Sequence, residues 1–205
     1  HHGDGVENAF LDDERVTTIS IHEENRWPFT GKSGEPYAPG VHNLPVPMEL
    51  NESEFEYLLD HAVLPLASAL RPDAVVLCCG ADCLAGDPLS KMRLTNSTLW
   101  RAVGRFVDLD VATVILGGGG YNPWTVARYW AGIWGWLNDY EIPAQLPDDA
   151  IRIMAGLQCD LLDDDEIEEC WTTSLADAPN DGVIRDGVKS VAQTVFSDGA
   201  INDVA

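Results

Sequence analysis

The chain has 205 residues, enough to bury one good core, and its 45% hydrophobic content is that of a globular protein. Its 34 acidic residues face only 12 basic ones, and a net charge of -22 repels nucleic acid and anionic lipid. No run approaches the roughly 18 apolar residues of a membrane span, and no basic segment followed by an apolar one precedes the first strand. A soluble, cytoplasmic protein without nucleic-acid or membrane partners is therefore expected. Only three of the basic residues are lysines (Lys32, Lys91, Lys189), while 21 of the acidic ones are aspartates. Self-repulsion on this scale is relieved when salt shortens the Debye length to about 3 Å at 1 M, which points to a salt-rich cytoplasm and a halophile. None of the five cysteines (Cys78, Cys79, Cys83, Cys159, Cys170) stands in CxxC spacing. Neither a disulfide framework nor a zinc knuckle is suggested, and reduced, mostly buried thiols are expected.

The chain opens His1-His2-Gly3-Asp4-Gly5-Val6 without an initiator Met, which reads as the back part of something longer. The two histidines suit a tag remnant or a site. Glycines at 3 and 5 around Asp4 favour a tight strand-to-helix turn, with Val6, Ala9 and Phe10 as the helix's short apolar face. Val16–His22 is β-branched and reads as a strand. Glu23–Pro47, broken by Gly31, Gly34, Pro36, Pro39, Gly40, Pro45 and Pro47, reads as a long loop. Such loops are usually functional or disordered. Trp27-Pro28-Phe29 within it offers an aromatic wall for a pocket or a pin for the loop itself.

Ser53 and Glu56 stand three apart, as in a capping box, ahead of Phe55, Leu58, Leu59, Ala62, Leu66 and Leu70 at helical spacing. This predicts an amphipathic helix, with His61 on it in a structural role. It leads into Val75–Cys79, a wholly apolar run ending at Gly80, which predicts a strand buried on both faces in a helix-covered parallel sheet. Ligands in such sheets bind beyond the carboxyl ends of the strands, and Asp82 sits two residues past the glycine. Asp82 is a candidate metal ligand or catalytic acid, or else an Asp that merely caps the turn at Gly86-Asp87-Pro88. A helix over about 98–107 follows, then Val111–Leu116 as a second fully apolar strand running into Gly117–Gly120 and Tyr121. Glycines in series cost backbone entropy and mark a sharp bend or a close approach of ligand to backbone. Without GxGxxG or GxxxxGKS in context a phosphate cradle is not expected. Tyr121 is then delivered to the same crevice as Asp82. Trp124–Leu137 predicts a Trp-rich helix of core type, and Asp163–Glu169 a solvated acidic face or a partly ordered tail.

Three stretches, His1 to Val6, Gly80-Ala81-Asp82 with Leu84 to Pro88, and Gly117 to Tyr121, closely resemble the back half of the zinc-dependent histone deacetylase family. Ser20 to Glu23, Trp27 to Gly31 and Tyr140 to Pro143 look nearest to its prokaryotic acetoin-utilisation branch. The resemblance covers about residues 1–145, leaves 146–205 as an acidic C-terminal extension, and retires the tag reading. It implies an α/β, three-layer arginase/deacetylase-like fold with a mainly parallel sheet, represented by its C-terminal part. The implied activity is hydrolysis of an N-acetyl amide, in an acetylated protein (acetyl-lysine) or a small acetylated amine, with Zn2+ as cofactor. His1 and Asp82 are the implied zinc ligands; a third ligand and a pair of catalytic histidines would lie before residue 1. Tyr121 matches the tyrosine that donates a hydrogen bond to the substrate carbonyl. Trp27, Leu89, Gly119 and Gly120 fall on the acyl channel, and Ser20 with the backbone of Ile21 and His1 fall where many members hold a structural potassium, K+. Two other readings stay open. An arginase-like two-metal amidohydrolase would draw its His-x-Asp spacing from His2-Gly3-Asp4, and a non-catalytic remnant would bind partners through its acidic surface. Two zinc ligands fall short of the three a catalytic site needs, so residues 1–205 alone are expected to be inactive.

Overall fold

The structure, a computed structural model, describes residues 1–34 and 38–197; Pro36, read above as a loop breaker, lies outside them. In chain order the elements are α1 (Asp4–Phe10), β1 (Thr18–Glu23), β2 (Val41–Val46), α2 (Glu52–Leu58), α3 (Leu64–Leu70), β3 (Ala74–Cys79), α4 (Asn96–Val107), β4 (Ala112–Gly117), α5 (Pro123–Leu137), α6 (Asp148–Ala155), α7 (Glu169–Thr173) and α8 (Asp186–Ser197). They group into two compact units, His1–Pro72 with Asp181–Ala205, and Asp73–Asn180. Residues beyond 145 thus contribute to both. Among the described residues no helix is long and apolar enough to cross a membrane.

In the first unit β1 and β2 pair in parallel, from Thr18 opposite Val41 to Glu23 opposite Val46. A strand here departs from the long loop expected over 23–47. Pro45 does not interrupt it, because Thr18 N–H donates to Gly40 O and Glu24 N–H to Val46 O, at 2.8 Å each. In a parallel ladder those bonds place the even-numbered residues of β2 toward β1, so the missing N–H of Pro45 faces away. The helix start also differs. The capping box is made by Asn51, whose side chain accepts from Glu54 N at 3.0 Å, while Glu54 accepts from Asn51 N at 3.2 Å. Ser53 instead bonds Asp181 at 3.2 Å. Before Pro65, which has no N–H to give back to the preceding turn, the helix widens into a π-turn (Leu59–Val63) closed by Leu64 N–H to Leu59 O. His61 is exposed and stacks on Tyr57, centroids 4.2 Å apart. α1 forms as expected, but Val6 and Phe10 are exposed, 57% and 43%, so its apolar face is not buried.

In the second unit β3 and β4 pair in parallel from Ala74–Ala112 to Cys79–Gly117. The burial expected on both faces is not found: Val76, Val114 and Leu116 are 63%, 52% and 48% exposed, and Cys78 with Cys170 is exposed as well. Alternate residues along each strand are covered and uncovered, so the described residues close one face of this pair. On the covered side α4 packs on α5. Their contact is set by Gly132, where a Cβ would stand 1.8 Å from the Trp100 ring, whose Nε1–H donates to Tyr129 O at 2.9 Å. Trp124, Met154 and Trp171 form a buried cluster that joins α5, α6 and α7. Of the remaining indoles of α5, Trp134 and Trp136 are 67% and 42% exposed, so that helix is only half a core helix. The acidic stretch at 163–169 lies on the surface, where Asp163 and Glu166 make a capping box.

The fully buried Glu54 carboxylate ties α8 to α2, accepting from Arg185 Nε at 2.5 Å and from its terminal nitrogen at 2.7 Å. Burial alone would raise this carboxyl, but the Arg185 hydrogen bonds outweigh it and hold the group below its ordinary value. A depressed folded-state pKa contributes stability that is complete above the unfolded value of 4.5 and is lost as pH falls through the folded one. Arg185→Met is expected to cost about 3 kcal/mol in urea unfolding at neutral pH, the low end for breaking a buried pair because Arg185 is partly exposed. The gap to the wild type should narrow as the pH falls below 4.5; equal unfolding midpoints at neutral pH would refute this role.

Candidate active site

β3 and β4 run side by side and deliver their following loops to one end of the sheet. The loops touch closely because three of the meeting residues have no side chain. A Cβ on Gly118 would stand 2.9 Å from Gly80 Cα, and one on Gly119 would stand 2.8 Å from Asp82 Cγ and 2.9 Å from each carboxylate oxygen. The Asp82 carboxylate therefore lies against the main chain of the glycine run, 4% exposed, in the short 3₁₀ turn Ala81–Cys83. Ala81 N–H donates to Gly119 O at 2.6 Å. Gly120 takes φ +146°, outside the range a side chain favours, and turns the chain into Tyr121.

Two further bonds lace the loops. Tyr121 N–H donates to Asp87 Oδ2 at 2.8 Å, and Asn122 Nδ2 donates to Gly86 O at 3.0 Å. Asn122 Oδ1 also caps α5, accepting from Trp124 N at 3.1 Å and Thr125 N at 3.2 Å. The turn at Gly86-Asp87-Pro88 is held by Asp87 itself, whose Oδ1 accepts from Leu89 N at 2.9 Å. Gly86, at φ +86°, lies beneath Trp171, whose ring would stand 2.2 Å from a Cβ there. Burial raises the Asp87 carboxyl above its ordinary value, against the pull of the Tyr121 and Leu89 amides. Asp82, Leu89, Gly119, Gly120 and Tyr121 are thus brought together in the second unit, with Leu89 and Tyr121 about equally exposed. Burial pushes the nearby Cys79 thiol up, which argues against a nucleophilic thiolate there.

The first unit holds His1, Trp27, Ser20 and Ile21. The His1 ring meets Trp27 edge-on, centroids 5.9 Å apart, and Trp27 is 62% exposed. His22 is buried beside His2, and burial depresses its pKa to about 4, so it is neutral at neutral pH. Its Nε2–H donates to Gly31 O at 2.9 Å, which leaves Nδ1 to accept from the Ser20 hydroxyl at 3.0 Å. His2 has both ring nitrogens engaged, with Thr30 Oγ1 at 2.8 Å and Glu7 Oε2 at 2.9 Å, and Glu7 also accepts from Asn43 at 2.7 Å. Among the described residues no group of three or more His, Cys, Asp or Glu side chains is gathered to hold a metal ion. Asp87, Asn122 and Trp171 were not singled out by sequence reasoning. The signal for Asp87 was its place between Gly86 and Pro88, where it passed for ordinary turn chemistry.

Gly119→Ala is expected to drive the Asp82 carboxylate from its seat and to destabilise the chain by about 1–3 kcal/mol, as overpacking does. In the Gly119→Ala, Asp82→Ala double variant the clash is gone, so the second substitution should recover part of the lost melting temperature. A double variant less stable than Gly119→Ala alone would contradict the contact.

The histone deacetylase domain model matches residues 1–137. Histone deacetylase 9 of Arabidopsis thaliana is 34% identical over 165 residues, 76% of this chain and 38% of its own length. Histone deacetylase 1 of Homo sapiens is 35% identical over 155 residues, 72% of this chain and 32% of its own. Among solved structures, an HDAC homologue from Aquifex aeolicus matches with a TM-score of 0.88 at 30% identity, and an HDAC homologue complexed with SAHA with 0.87 at 29%. Each covers 96% of this chain and 55% of the other. The chain spans about a third of the length of these curated relatives and about half that of the solved ones. It has the parallel-sheet α/β fold of the arginase/deacetylase class in part. By the domain matched over residues 1–137 and the fold matched over nearly all of its length, the chain belongs to the histone deacetylase domain family.

Proposed function

We propose that the domain to which this chain contributes hydrolyses N-acetyl amides, acetyl-lysine in a protein or a small acetylated amine. The observation that carries this reading is the Asp82 carboxylate seated against Gly119, with Tyr121 two residues further along the same loop. The small-amine option rests on the likeness of residues 20–23, 27–31 and 140–143 to acetoin-utilisation deacetylases. Asp82 fits a zinc ligand: it is a buried carboxylate with a side-chain-free backbone beside it. His1, in the first unit, is the imidazole that the family resemblance adds as a zinc ligand. Zinc held there would polarise an amide carbonyl and lower the pKa of bound water to about 7.

The chain's own residues then have distinct tasks. Tyr121 donates its hydroxyl to the substrate carbonyl oxygen, where negative charge develops as the amide is attacked. Gly119 and Gly120, having no side chains, let an acyl chain run against the backbone. Leu89 supplies apolar surface for it, and Trp27, exposed in the first unit, is by the family resemblance a further channel aromatic. Ser20, whose hydroxyl proton goes to His22 Nδ1, keeps both oxygen lone pairs for a cation, which supports a potassium site shared with the Ile21 carbonyl. The net charge of -22 draws cations of every kind toward the surface, potassium among them.

In the complete domain Tyr121→Phe should retain zinc by elemental analysis and lose about 10²–10³ in turnover of an acetyl-lysine peptide, the usual cost of one oxyanion donor. Asp82→Ala should lose the zinc itself. Wild-type turnover in the first variant, or stoichiometric zinc in the second, would overturn the corresponding role. Exchanging potassium for sodium at constant ionic strength should change the rate, and identical rates in the two salts would remove the potassium site.

A further inference from the structure

We propose that Asp87 is a positioning residue for Tyr121, its carboxylate setting the place of the oxyanion donor by holding the Tyr121 amide; this rests on the deacetylase reading above. Tyr121 follows four glycines, which carry no side chains to fix their own course. The place of Tyr121 is therefore imposed by what grips the main chain around it. Asp87 is 4% exposed and divides its two oxygens, Oδ1 to Leu89 N–H at 2.9 Å in its own turn and Oδ2 to Tyr121 N–H at 2.8 Å on the other loop. One short side chain thus sets the spacing between the channel residue Leu89 and the donor Tyr121. The Tyr121 carbonyl lies 3.5 Å from Cys159 Sγ, a weaker partner than a carboxylate, and the flanking bonds from Ala81 to Gly119 and from Asn122 to Gly86 fix the loop without touching the Tyr121 amide. Asn at position 87 keeps the shape but has a single acceptor oxygen, so one of the two amides would face an NH2 donor. A misplacement of about 1 Å at a reacting group costs up to about 10² in rate.

In the 205-residue chain, hydrogen exchange of the Tyr121 amide is expected to quicken at least about tenfold in Asp87→Asn, with the β3 and β4 amides unchanged. In the complete domain kcat on an acetyl-lysine peptide should fall about tenfold to a hundredfold, with KM within about threefold and zinc content unaltered. In a Tyr121→Phe background the same substitution should cost less than about threefold, because the hydroxyl it positions is already gone. A merely structural role lowers both backgrounds equally, and that additivity, or an unchanged Tyr121 exchange rate, would overturn the assignment. A wild-type domain inactive on the peptide would refute the deacetylase reading, while the exchange measurement still decides whether Asp87 holds Tyr121. If Asp87→Asn yields no folded protein, Asp87→Glu, which moves both oxygens one methylene outward, is read in the same way.

Discussion

The close approach of two loops without intervening side chains is the constraint on which the second unit depends. Gly80 and Gly118 allow the main chains to meet, and Gly119 leaves the space that the Asp82 carboxylate fills. Everything chemical in that unit follows from this contact. Asp82 is buried by it, Gly120 turns away from it, and Tyr121 emerges beyond it with its amide in the grasp of Asp87. The loops could not be brought this near by hydrogen bonding alone, because a single Cβ at any of the three positions would stand within about 3 Å of heavy atoms.

Much of this was legible in the residues. The runs that became β3 and β4 are apolar but for Thr113, and the glycines that end them announce a close approach. The meeting of Asp82 with the glycine run followed from ordinary parallel-sheet geometry, in which neighbouring strands end on the same side. β2 was hidden because Pro45 and Pro47 outweighed a short β-branched pattern, and the ladder tolerates Pro45 only through the parity of its register, which no local signal carries. The capping box slipped from Ser53 to Asn51 for a tertiary reason: Ser53 is spent on Asp181, more than a hundred residues away in the chain. The exposure of Val76 and Val114 was unreadable for a different cause, since an apolar strand has the same sequence whether or not a layer covers it.

Each unit buries one partner of a guanidinium–carboxylate pair, Glu54 with Arg185 in the first and Arg128 with Asp177 in the second. In the first, an ion pair between Glu54 and Arg185 sits at the foot of two helices and makes the fold answerable to acid. In the second, polar groups near the candidate site are satisfied mostly by backbone amides and carbonyls, which do not titrate.

The Trp171 ring over Gly86 ties a residue of α7 to the turn that carries Asp87. In evolutionary terms the two positions are not free to drift separately. Any side chain at 86 must first displace the indole, and a lineage that replaced Trp171 by a smaller residue would gain room without gaining freedom, since φ +86° at that position still excludes all but glycine at little cost. Change can therefore enter the pair only from the tryptophan side.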